Sequence, residues 1–319
     1  MYKKFFGFKE RPFKLVPNPA YLFLSRSHEE ALAHLSYAIS QGDGFVEITG
    51  EVGTGKTTLC RAFLETLDEN TEAAYIFNPK LDAIQLLKAI NDEFAIRSEP
   101  DNTKDLIDIL NAFLIEKKGQ GKKVILLVDE AQNLSVEVLE QLRLLSNLET
   151  TTSKLLQIIL VGQPELGDML DSYDLRQLGQ RITLSCHIHP MTRNETRQYI
   201  LHRIHTASQK PGVTFTWAAF FAIYRYSRGI PRQINIVCDR ALLFAYGLNR
   251  HIITGSIVKA SARELAGRGD IRKFGLQVPG KSTVVLAAVC VALFLYILFR
   301  PEGFQRSDSY KNAKNKEAR

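Results

Sequence analysis

The sequence of 319 residues is 45% hydrophobic and 24% charged, a composition that excludes a disordered or fibrous chain and allows one large α/β domain with a smaller one. The formal net charge is +7, but residues 263–319 contain eleven Lys/Arg and five Asp/Glu, or +6, which leaves 30 minus 29, or +1, for residues 1–262. This nearly neutral main part argues against a protein whose principal partner is nucleic acid.

The first predicted unit of the chain is a strand, a glycine-rich loop and a helix. The apolar run at residues 45–48 is typical of a buried strand, and residues 56–67 place apolar side chains at helical spacing. The loop between them, GEVGTGKTT, matches the pattern G-x-x-x-x-G-K-[ST]. In this setting the backbone N–H groups of residues 53–57 converge at a helix N-terminus, where a phosphate is favoured.

The same loop predicts a nucleotide site that contains Mg²⁺. We expect Lys56 to reach the β- and γ-phosphates of ATP and Thr57 to ligate Mg²⁺. The predicted phosphate-binding residues are Gly50, Glu51, Val52, Gly53, Thr54, Gly55, Lys56, Thr57 and Thr58. The alternative interpretation is a glycine turn before an amphipathic helix, and a second motif decides between the two.

That second motif is KKVILLVDEAQNL, residues 122–134. The unbroken apolar run from Val124 to Val128 predicts a central parallel strand covered on both faces. The run ends in Asp129 and Glu130, at the edge where open α/β sheets bind ligands. We expect Asp129 to hold Mg²⁺ and Glu130 to orient and polarise the attacking water. The alternative is a strand that runs into a solvated turn, but the glycine-rich loop upstream favours a nucleotide hydrolase.

The remaining pattern predicts an α/β fold of the P-loop NTPase type, with a parallel sheet flanked by helices and then a small all-helical module. Further strands are predicted at residues 73–79, 155–161 and 181–188, and helices at 82–95, 103–118 and 136–148. Strands that alternate with helices imply right-handed crossovers in a parallel sheet. Beyond Pro190 we expect no strand but only helices, one capped by Thr192 or Asn194 and others at 217–227 and 232–248.

One apolar segment lies near the end of the sequence. Residues 283–299 are uncharged and almost wholly apolar, and they lie between Lys281 and Arg300. A helix of this length spans about 25 Å, which is enough for a transmembrane helix, and a buried core helix is the alternative. Lys and Arg occur on both sides of the segment, so charge does not set its orientation. Because ATP is cytoplasmic, we expect the main part of the chain to face the cytoplasm.

Together the motifs resemble those of a known family. The stretches MYKKFFGFKERPFKLVPNPAYLF, SRSHEEALAHLSYAI, GEVGTGKTTLCR, VDEAQNL, VGQPEL, LRQLGQRI and GIPRQINIVCDRALL follow one another in this order. Over about residues 1–265 the chain resembles the AAA+ ATPases of the general secretion pathway A (ExeA) type, and the related ATPases of MSHA-type pilus biogenesis are similarly close. Secretion-pathway members commonly carry a large peptidoglycan-binding domain that residues 300–319 do not match, so we expect no cell-wall role.

The resemblance implies roles for further residues. Gln163 falls at sensor 1, which contacts the γ-phosphate or the lytic water; a strand-ending turn before Pro164 is the alternative. Arg181, with Arg176 as competitor, falls where the family carries an arginine finger that acts on the ATP of a neighbouring subunit. Either arginine could instead be a solvated side chain. Arg232 matches sensor 2, which reports γ-phosphate occupancy to a helical lid.

The resemblance also implies a function, which is hydrolysis of Mg-ATP by a homo-oligomeric ring in support of a type II secretion or MSHA-type (type IV) pilus machinery. The implied partners are envelope secretion or pilus assembly proteins and the bacterial inner membrane, crossed once with the ATPase domain in the cytoplasm. The expected parts are an AAA+ domain at residues 1–190, a helical lid at 191–265, a polar linker at 266–282, the transmembrane helix at 283–299 and a short basic tail at 300–319. The alternative is a DNA-associated AAA+ regulator of the transposition-ATPase type, which the nearly neutral main part and the apolar segment disfavour.

Overall fold

The computed structural model describes residues 2–16, 18–42, 44–77, 80–97, 102–150, 153–208 and 210–267. Residues 268–319 lie outside this part, and they include the predicted transmembrane helix and tail. Within the described residues, five strands form one sheet, and a pair of two-residue strands stands apart from it. The positions of the strands and of the flanking helices agree closely with those expected from the apolar runs in the sequence.

The strands of the main sheet are β1 (Phe45–Gly50), β2 (Thr71–Ile76), β3 (Lys123–Val128), β4 (Gln157–Gly162) and β5 (Ile182–Ile188). Their order in space is β2-β3-β4-β1-β5, and every neighbouring pair is parallel. Because the strands run in one direction, their carboxyl ends share one edge of the sheet. The loop after β1 and the carboxylates after β3 therefore lie at the same edge, and the predicted parallel α/β fold is confirmed.

Helices cover both faces of this sheet. The helices of the described residues are α1 (Tyr2–Phe5), α2 (Arg26–Gln41), α3 (Lys56–Glu65), α4 (Ala83–Glu93), α5 (Thr103–Gly119), α6 (Val136–Leu145), α7 (Pro164–Leu170), α8 (Arg176–Gly179), α9 (Arg193–Ala207), α10 (Trp217–Ser227), α11 (Pro231–Gly247) and α12 (Gly255–Gly267). Leu126 of β3 is buried with side chains of α4, α5 and α6, and Leu127 is buried on the opposite face with those of α2 and α3. Each such burial contributes about 1.5–3 kcal/mol, which explains why β3 is apolar at every position after its first residue.

The helices α9 to α12 form a bundle after β5, the last strand of the main sheet, and we call this bundle the helical region. Thr192 is the N-cap of α9 in a capping box with Glu195, so Thr192 and not Asn194 begins the helix. The expectation of an all-helical module was wrong in one detail. Two short strands, β6 (Thr214–Phe215) and β7 (Ile252–Ile253), pair in parallel within this region. At two residues each they are too short to give a periodic signal in the sequence.

The N-terminal strap, which we define as residues 2–24 as far as they are described, packs against the helical region. The backbone N–H of Lys9 donates to the carbonyl of Ala207 at 2.9 Å, and the Arg11 guanidinium forms an ion pair with Asp239 at 2.6 Å. From these anchors the strap runs on to α2, which packs on the sheet. The strap thus joins the helical region to the sheet through the first residues of the chain.

The predicted location in the inner membrane requires correction. None of the helices found in the described ranges has both the length and the apolar character needed to cross a bilayer. The prediction was based on the apolar composition of residues 283–299, which belong to the part of the chain that is not described. We therefore do not retain the assignment of the protein as a single-pass inner-membrane protein.

Candidate functional site

The glycine-rich loop wraps around the N-terminus of α3. Gly53 and Gly55 have φ angles of 84° and 107°, a left-handed backbone that glycine adopts without strain. A Cβ atom on Gly53 would come within 2.6 Å of the Cβ of Arg232, so this close approach also requires glycine. Since α3 begins at Lys56, the N–H groups of its first turn point into the loop. This arrangement favours an anion.

Lys56 lies inside the loop and is 5% exposed. Its Nζ donates hydrogen bonds to the carbonyl oxygens of Gly50 at 2.6 Å and of Glu51 at 3.2 Å. Burial lowers the pKa of Lys56, and the nearby carboxylates of Glu130 and Asp129 oppose that shift. A cation therefore sits at the centre of the anion-binding loop.

Asp129 is fully buried at the end of β3 and accepts three hydrogen bonds. Thr57 Oγ1 donates to its Oδ2 at 2.7 Å, the Tyr75 hydroxyl donates to the same oxygen at 3.0 Å, and the Glu130 N–H donates to Oδ1 at 2.8 Å. Burial and the charge of Asp129 raise the pKa of Tyr75, so Tyr75 remains a donor. The Thr57 hydroxyl and the Asp129 carboxylate together present the hard oxygen ligands that suit Mg²⁺.

Glu130 and Gln163 meet beside Asp129. Glu130 Oε2 accepts from Gln132 Nε2 at 2.7 Å and from Gln163 Nε2 at 3.3 Å. The backbone N–H of Gln163 donates to Gln132 Oε1 at 3.0 Å. Glu130 has a φ of 54°, an uncommon left-handed backbone for a residue other than glycine. Gln132 thus links the two residues that were predicted to act on water and phosphate.

Arg232 brings the helical region to the loop. Pro231 is the first residue of α11, and the backbone N–H of Arg232 donates to the carbonyl oxygen of Gly53 at 3.2 Å. A proline at this position is favourable because the first turn of a helix leaves its N–H groups unpaired within the helix. The predicted sensor 2 residue therefore lies at the phosphate loop.

A cavity of about 410 Å³ joins these groups to the strap and the helical region. Its lining residues are Lys14, Leu15, Val16, Asn18, Tyr21, Leu22 and Phe23 from the strap; His28 from α2; Val52, Gly53, Thr54, Gly55, Lys56, Thr57, Thr58, Glu130 and Gln163 from the sheet side; and Met191, Tyr199, Arg203, Pro231, Arg232 and Asn235 from the helical region and the residue leading into it. The sheet side is polar and the opposite side is mainly apolar and aromatic. A ligand with a phosphate end and a flat apolar end matches this division.

Arg203 fixes the strap over that cavity. It is 7% exposed, and its guanidinium donates to the carbonyl oxygens of Pro12 at 2.6 Å and Lys14 at 3.2 Å and to the Tyr199 hydroxyl at 2.8 Å. It also lies over the ring of Tyr21, 4.9 Å from the centroid. Arg203 thus holds the part of the strap that lines the cavity, in addition to the anchors at Lys9 and Arg11.

The two candidate arginine fingers lie away from the cavity. Arg181 Nη1 donates to the carbonyl oxygen of Arg143 at 3.1 Å and to Ser146 Oγ at 2.6 Å, at the C-terminal end of α6. Arg176 is exposed on α8. The structure therefore brings Lys56, Thr57, Asp129, Glu130, Gln163 and Arg232 together, and leaves Arg176 and Arg181 outside.

Sequence reasoning missed four residues of the site, namely His28, Tyr75, Gln132 and Arg203. The His28 ring is buried between Ser25 Oγ, 2.6 Å from Nδ1, and the carbonyl oxygen of Thr54, 3.1 Å from Nε2. Burial lowers the pKa of His28, which favours the neutral ring. Of the four, Gln132 had a local signal, because it stands two residues after Glu130 in the acidic motif. His28 lies in the stretch SRSHEEALAHLSYAI, which indicated the family but no role for this residue, and Tyr75 and Arg203 lie outside the quoted motifs.

The parallel sheet, the phosphate loop and the acidic strand end define the fold of P-loop ATPases of the AAA+ class, and the AAA domain family matches residues 39–170. Solved structures share this fold. ORC2 of Aeropyrum pernix, in its ADPNP-ADP complexes, is 19% identical and superposes with a TM-score of 0.58. The matched region is 81% of this chain and 72% of that one. Cdc6p of Pyrobaculum aerophilum is 18% identical, with a TM-score of 0.59 over 78% and 71% of the two chains.

A closer relationship appears in sequence. General secretion pathway protein A of Aeromonas hydrophila is 46% identical over 293 residues, which is 92% of this chain and 53% of that protein. This chain is a homologue of general secretion pathway protein A and carries an AAA domain, so the resemblance seen in the motifs is confirmed. The chain spans about half the length of that relative.

Proposed function

We propose that this protein hydrolyses ATP to ADP and phosphate with Mg²⁺ as cofactor. The observation that carries the proposal is the contact of 2.7 Å between Thr57 Oγ1 and Asp129 Oδ2. Beside it lie the buried Lys56 and the carboxylate of Glu130, which accepts a hydrogen bond from Gln132. A hydroxyl, a carboxylate, a lysine and a second carboxylate at one loop are the groups that phosphoryl transfer to water uses. ADPNP and ADP in the ORC2 complexes support a nucleotide as ligand.

Each residue then has a role. Lys56 and the loop N–H groups bind the phosphates, and Thr57 and Asp129 hold Mg²⁺, which offsets negative charge on the phosphate oxygens when bound. Glu130 orients the attacking water, and Gln163 contacts the γ-phosphate. Further loop contacts come from Glu51, Val52, Thr54 and Thr58, and the aromatic side of the cavity takes the base.

We also propose that the cellular role belongs to the general secretion pathway, as support for a type II secretion or MSHA-type pilus machinery. The identity of 46% to general secretion pathway protein A supports this role. The DNA-associated alternative draws on fold alone, because a neighbour such as Drosophila ORC bound to DNA is 18% identical. A DNA affinity that falls steeply with salt would favour the alternative, since phosphate neutralisation releases counterions.

The site is proposed to be completed by a second copy of the chain in a homo-oligomeric ring, with residues 191–265 acting as a lid. The guanidinium of Arg181 is bonded to α6 of its own chain, whereas Arg176 is exposed on α8. We therefore assign the finger to Arg176 and a bracing role to Arg181. In this arrangement Arg176 stabilises the charge that develops on the ATP of the neighbouring subunit.

The test is steady-state ATP hydrolysis by the full chain as a function of protein concentration. We expect the specific activity to rise with concentration, to fall to a small residual rate in Glu130→Gln, and to stay low at all concentrations in Arg176→Ala. Arg181→Ala should keep the concentration dependence with a lower melting temperature, and Arg97→Ala, an exposed arginine away from the site, should match the wild type. Activity that is absent from the wild type with Mg-ATP would refute the proposed hydrolase.

A further inference from the structure

We propose that Gln132 is a positioning residue for hydrolysis, whose side-chain amide fixes the direction in which the Glu130 carboxylate faces the attacking water. The inference rests on the proposed ATPase function and deepens it. Gln132 lies between Glu130 and Gln163. Its Nε2 is 2.7 Å from Glu130 Oε2, and its Oε1 is 3.0 Å from the backbone nitrogen of Gln163.

Both ends of the Gln132 amide are used, and this leaves a single orientation for the group. Nε2 donates to Glu130 Oε2, and Oε1 accepts from the backbone N–H of Gln163. A carboxylate accepts and does not donate, and a backbone N–H donates and does not accept. If the amide were turned over, two acceptors would face each other at Glu130 and two donors at Gln163. The amide therefore behaves as a rigid spacer between the two residues.

The backbone around Gln132 is shaped to hold the amide in this place. Gln132 lies in a 3₁₀ turn at Ala131–Asn133 that follows the left-handed backbone of Glu130. Across from it stands Gly162, the last residue of β4, where a Cβ atom would lie 2.9 Å from Gln132 Oε1 and 2.8 Å from Leu166 Cδ2. Glycine at this position leaves the space that the amide occupies.

The contact also remains in place when Gln163 acts. In the proposed reaction the Gln163 side chain turns to the γ-phosphate, and its bond of 3.3 Å to Glu130 Oε2 is then exchanged. Gln132 binds the backbone of Gln163 and not its side chain, so its own bond to Oε2 is unaffected by that movement. Because both amides bind Oε2, we assign the other oxygen, Oε1, to the attacking water. Gln132 thus keeps Glu130 aligned during the chemical step.

The experiment measures kcat, KM and the dissociation constant of ATP for the full chain and three variants. Gln132→Ala removes both bonds, and Gln132→Glu keeps an acceptor for the Gln163 N–H but loses the donor to Glu130. Asn133→Ala, an exposed neighbour in the same turn, is the matched control. We expect kcat to fall about tenfold in both Gln132 variants, the dissociation constant of ATP to stay within about twofold, and the control to match the wild type.

A double-mutant cycle separates positioning from a general structural role. If Gln132 acts through Glu130, adding Gln132→Ala to Glu130→Gln should lower the residual hydrolysis no further. The proposal is overturned if kcat is unchanged in the Gln132 variants, if ATP affinity falls in step with kcat, or if the loss recurs in full on the Glu130→Gln background.

Failure of the proposed hydrolase would be distinguished by a readout without turnover. The side-chain NH₂ resonances of Gln132, assigned in the full chain by their loss in Gln132→Ala, should shift in Glu130→Ala. That shift would support the Gln132–Glu130 link in a protein that binds nucleotide but does not hydrolyse it. Resonances that stay in place in Glu130→Ala would overturn the link even in an active enzyme.

Discussion

The two sides of the cavity are built differently. On the sheet side, the polar groups come from short stretches directly after β1, β3 and β4, and they bind one another: Thr57 to Asp129, and Gln132 to Glu130. On the opposite side, the strap and the helical region meet through residues far apart in the chain. Arg203, for example, binds Pro12, which lies 191 positions away. The chemical groups of the site therefore stand in short stretches at the ends of strands, whereas its enclosure depends on contacts between the strap and the helical region.

This difference has an energetic consequence. The sheet side stands on strand ends whose apolar residues are buried on both faces, so a polar substitution there leaves the core intact. The strap side depends on the hydrogen bonds of Arg203, which hold two backbone carbonyls of the strap. Substitutions on the first side should change catalysis, and those on the second should change stability and nucleotide affinity together.

The largest expected effect is on the sheet side. Asp129→Asn keeps the shape of the side chain but removes the negative charge that we assign to Mg²⁺. ATP hydrolysis should fall by more than about a hundredfold, in line with the removal of one group that stabilises transition-state charge. Thermal unfolding should stay close to that of the wild type. Asp92→Asn, an exposed aspartate of α4, is the control, and a large loss of melting temperature in Asp129→Asn would break the comparison.

Arg203→Met tests the strap side. The substitution keeps much of the apolar volume but leaves the carbonyls of Pro12 and Lys14 without their donor, so the free energy of unfolding should fall by about 2–4 kcal/mol. ATP should also bind more weakly, because the strap lines the cavity. Urea unfolding and ATP titration measure the two effects. Arg197→Met, an exposed arginine of the same helix, should change neither by a comparable amount, and full stability in Arg203→Met would contradict the proposed anchor.

A smaller effect is expected from Tyr75→Phe. Loss of the hydroxyl removes one of two donors to Asp129 Oδ2 and leaves the carboxylate less firmly oriented. The Mg²⁺ concentration for half-maximal hydrolysis should rise about threefold to tenfold, while kcat at saturating Mg²⁺ changes little. Tyr37→Phe, on an exposed part of α2, serves as control. An unchanged Mg²⁺ dependence would remove Tyr75 from the metal side of the site.

The smallest expected effect concerns pH and His28. Burial lowers the pKa of His28 in the folded protein below its unfolded value. At a pH between the two pKa values, the unfolded chain therefore binds more protons than the folded one. The stability that the neutral ring contributes is present above the unfolded pKa of about 6.5 and is lost as pH falls below it. The free energy of unfolding, measured by denaturation between pH 7.5 and 5.5, should therefore change less with pH in His28→Gln than in the wild type. His187 and His202, whose pKa values are also lowered, supply the background that both proteins share.

The sheet and its polar edge could be predicted because each element carries its own signal. Unbroken apolar runs mark β3 and β4, and the loop and the acidic pair are motifs of contiguous residues. All five strands of the main sheet were placed from sequence alone, and their parallel arrangement was inferred from the helices between them. Glu130 was placed from its position at the end of an apolar run, whereas Gln163 was assigned only from the resemblance to the family.

The other side of the cavity could not be predicted for a physical reason. Nothing in the residues near Arg203 shows that its partners are carbonyls of the strap, because backbone acceptors have no sequence signature. Tyr75 reads as an ordinary strand residue, and its bond to Asp129 depends on the pairing of β2 with β3. The assignment to the inner membrane failed in a different way, since it drew on composition alone and no described helix supports it.

Among the positions around the cavity that have a left-handed backbone, two are glycine and one is not. Gly53 and Gly55 adopt positive φ at no steric cost, whereas Glu130 holds a φ of 54° at a cost on the order of 1 kcal/mol. Glycine at position 130 would relieve that strain, so the chain gives up some stability to keep a side chain there. At positions 53 and 55 glycine serves the geometry of the backbone, whereas position 130 keeps a side chain for the sake of its carboxylate.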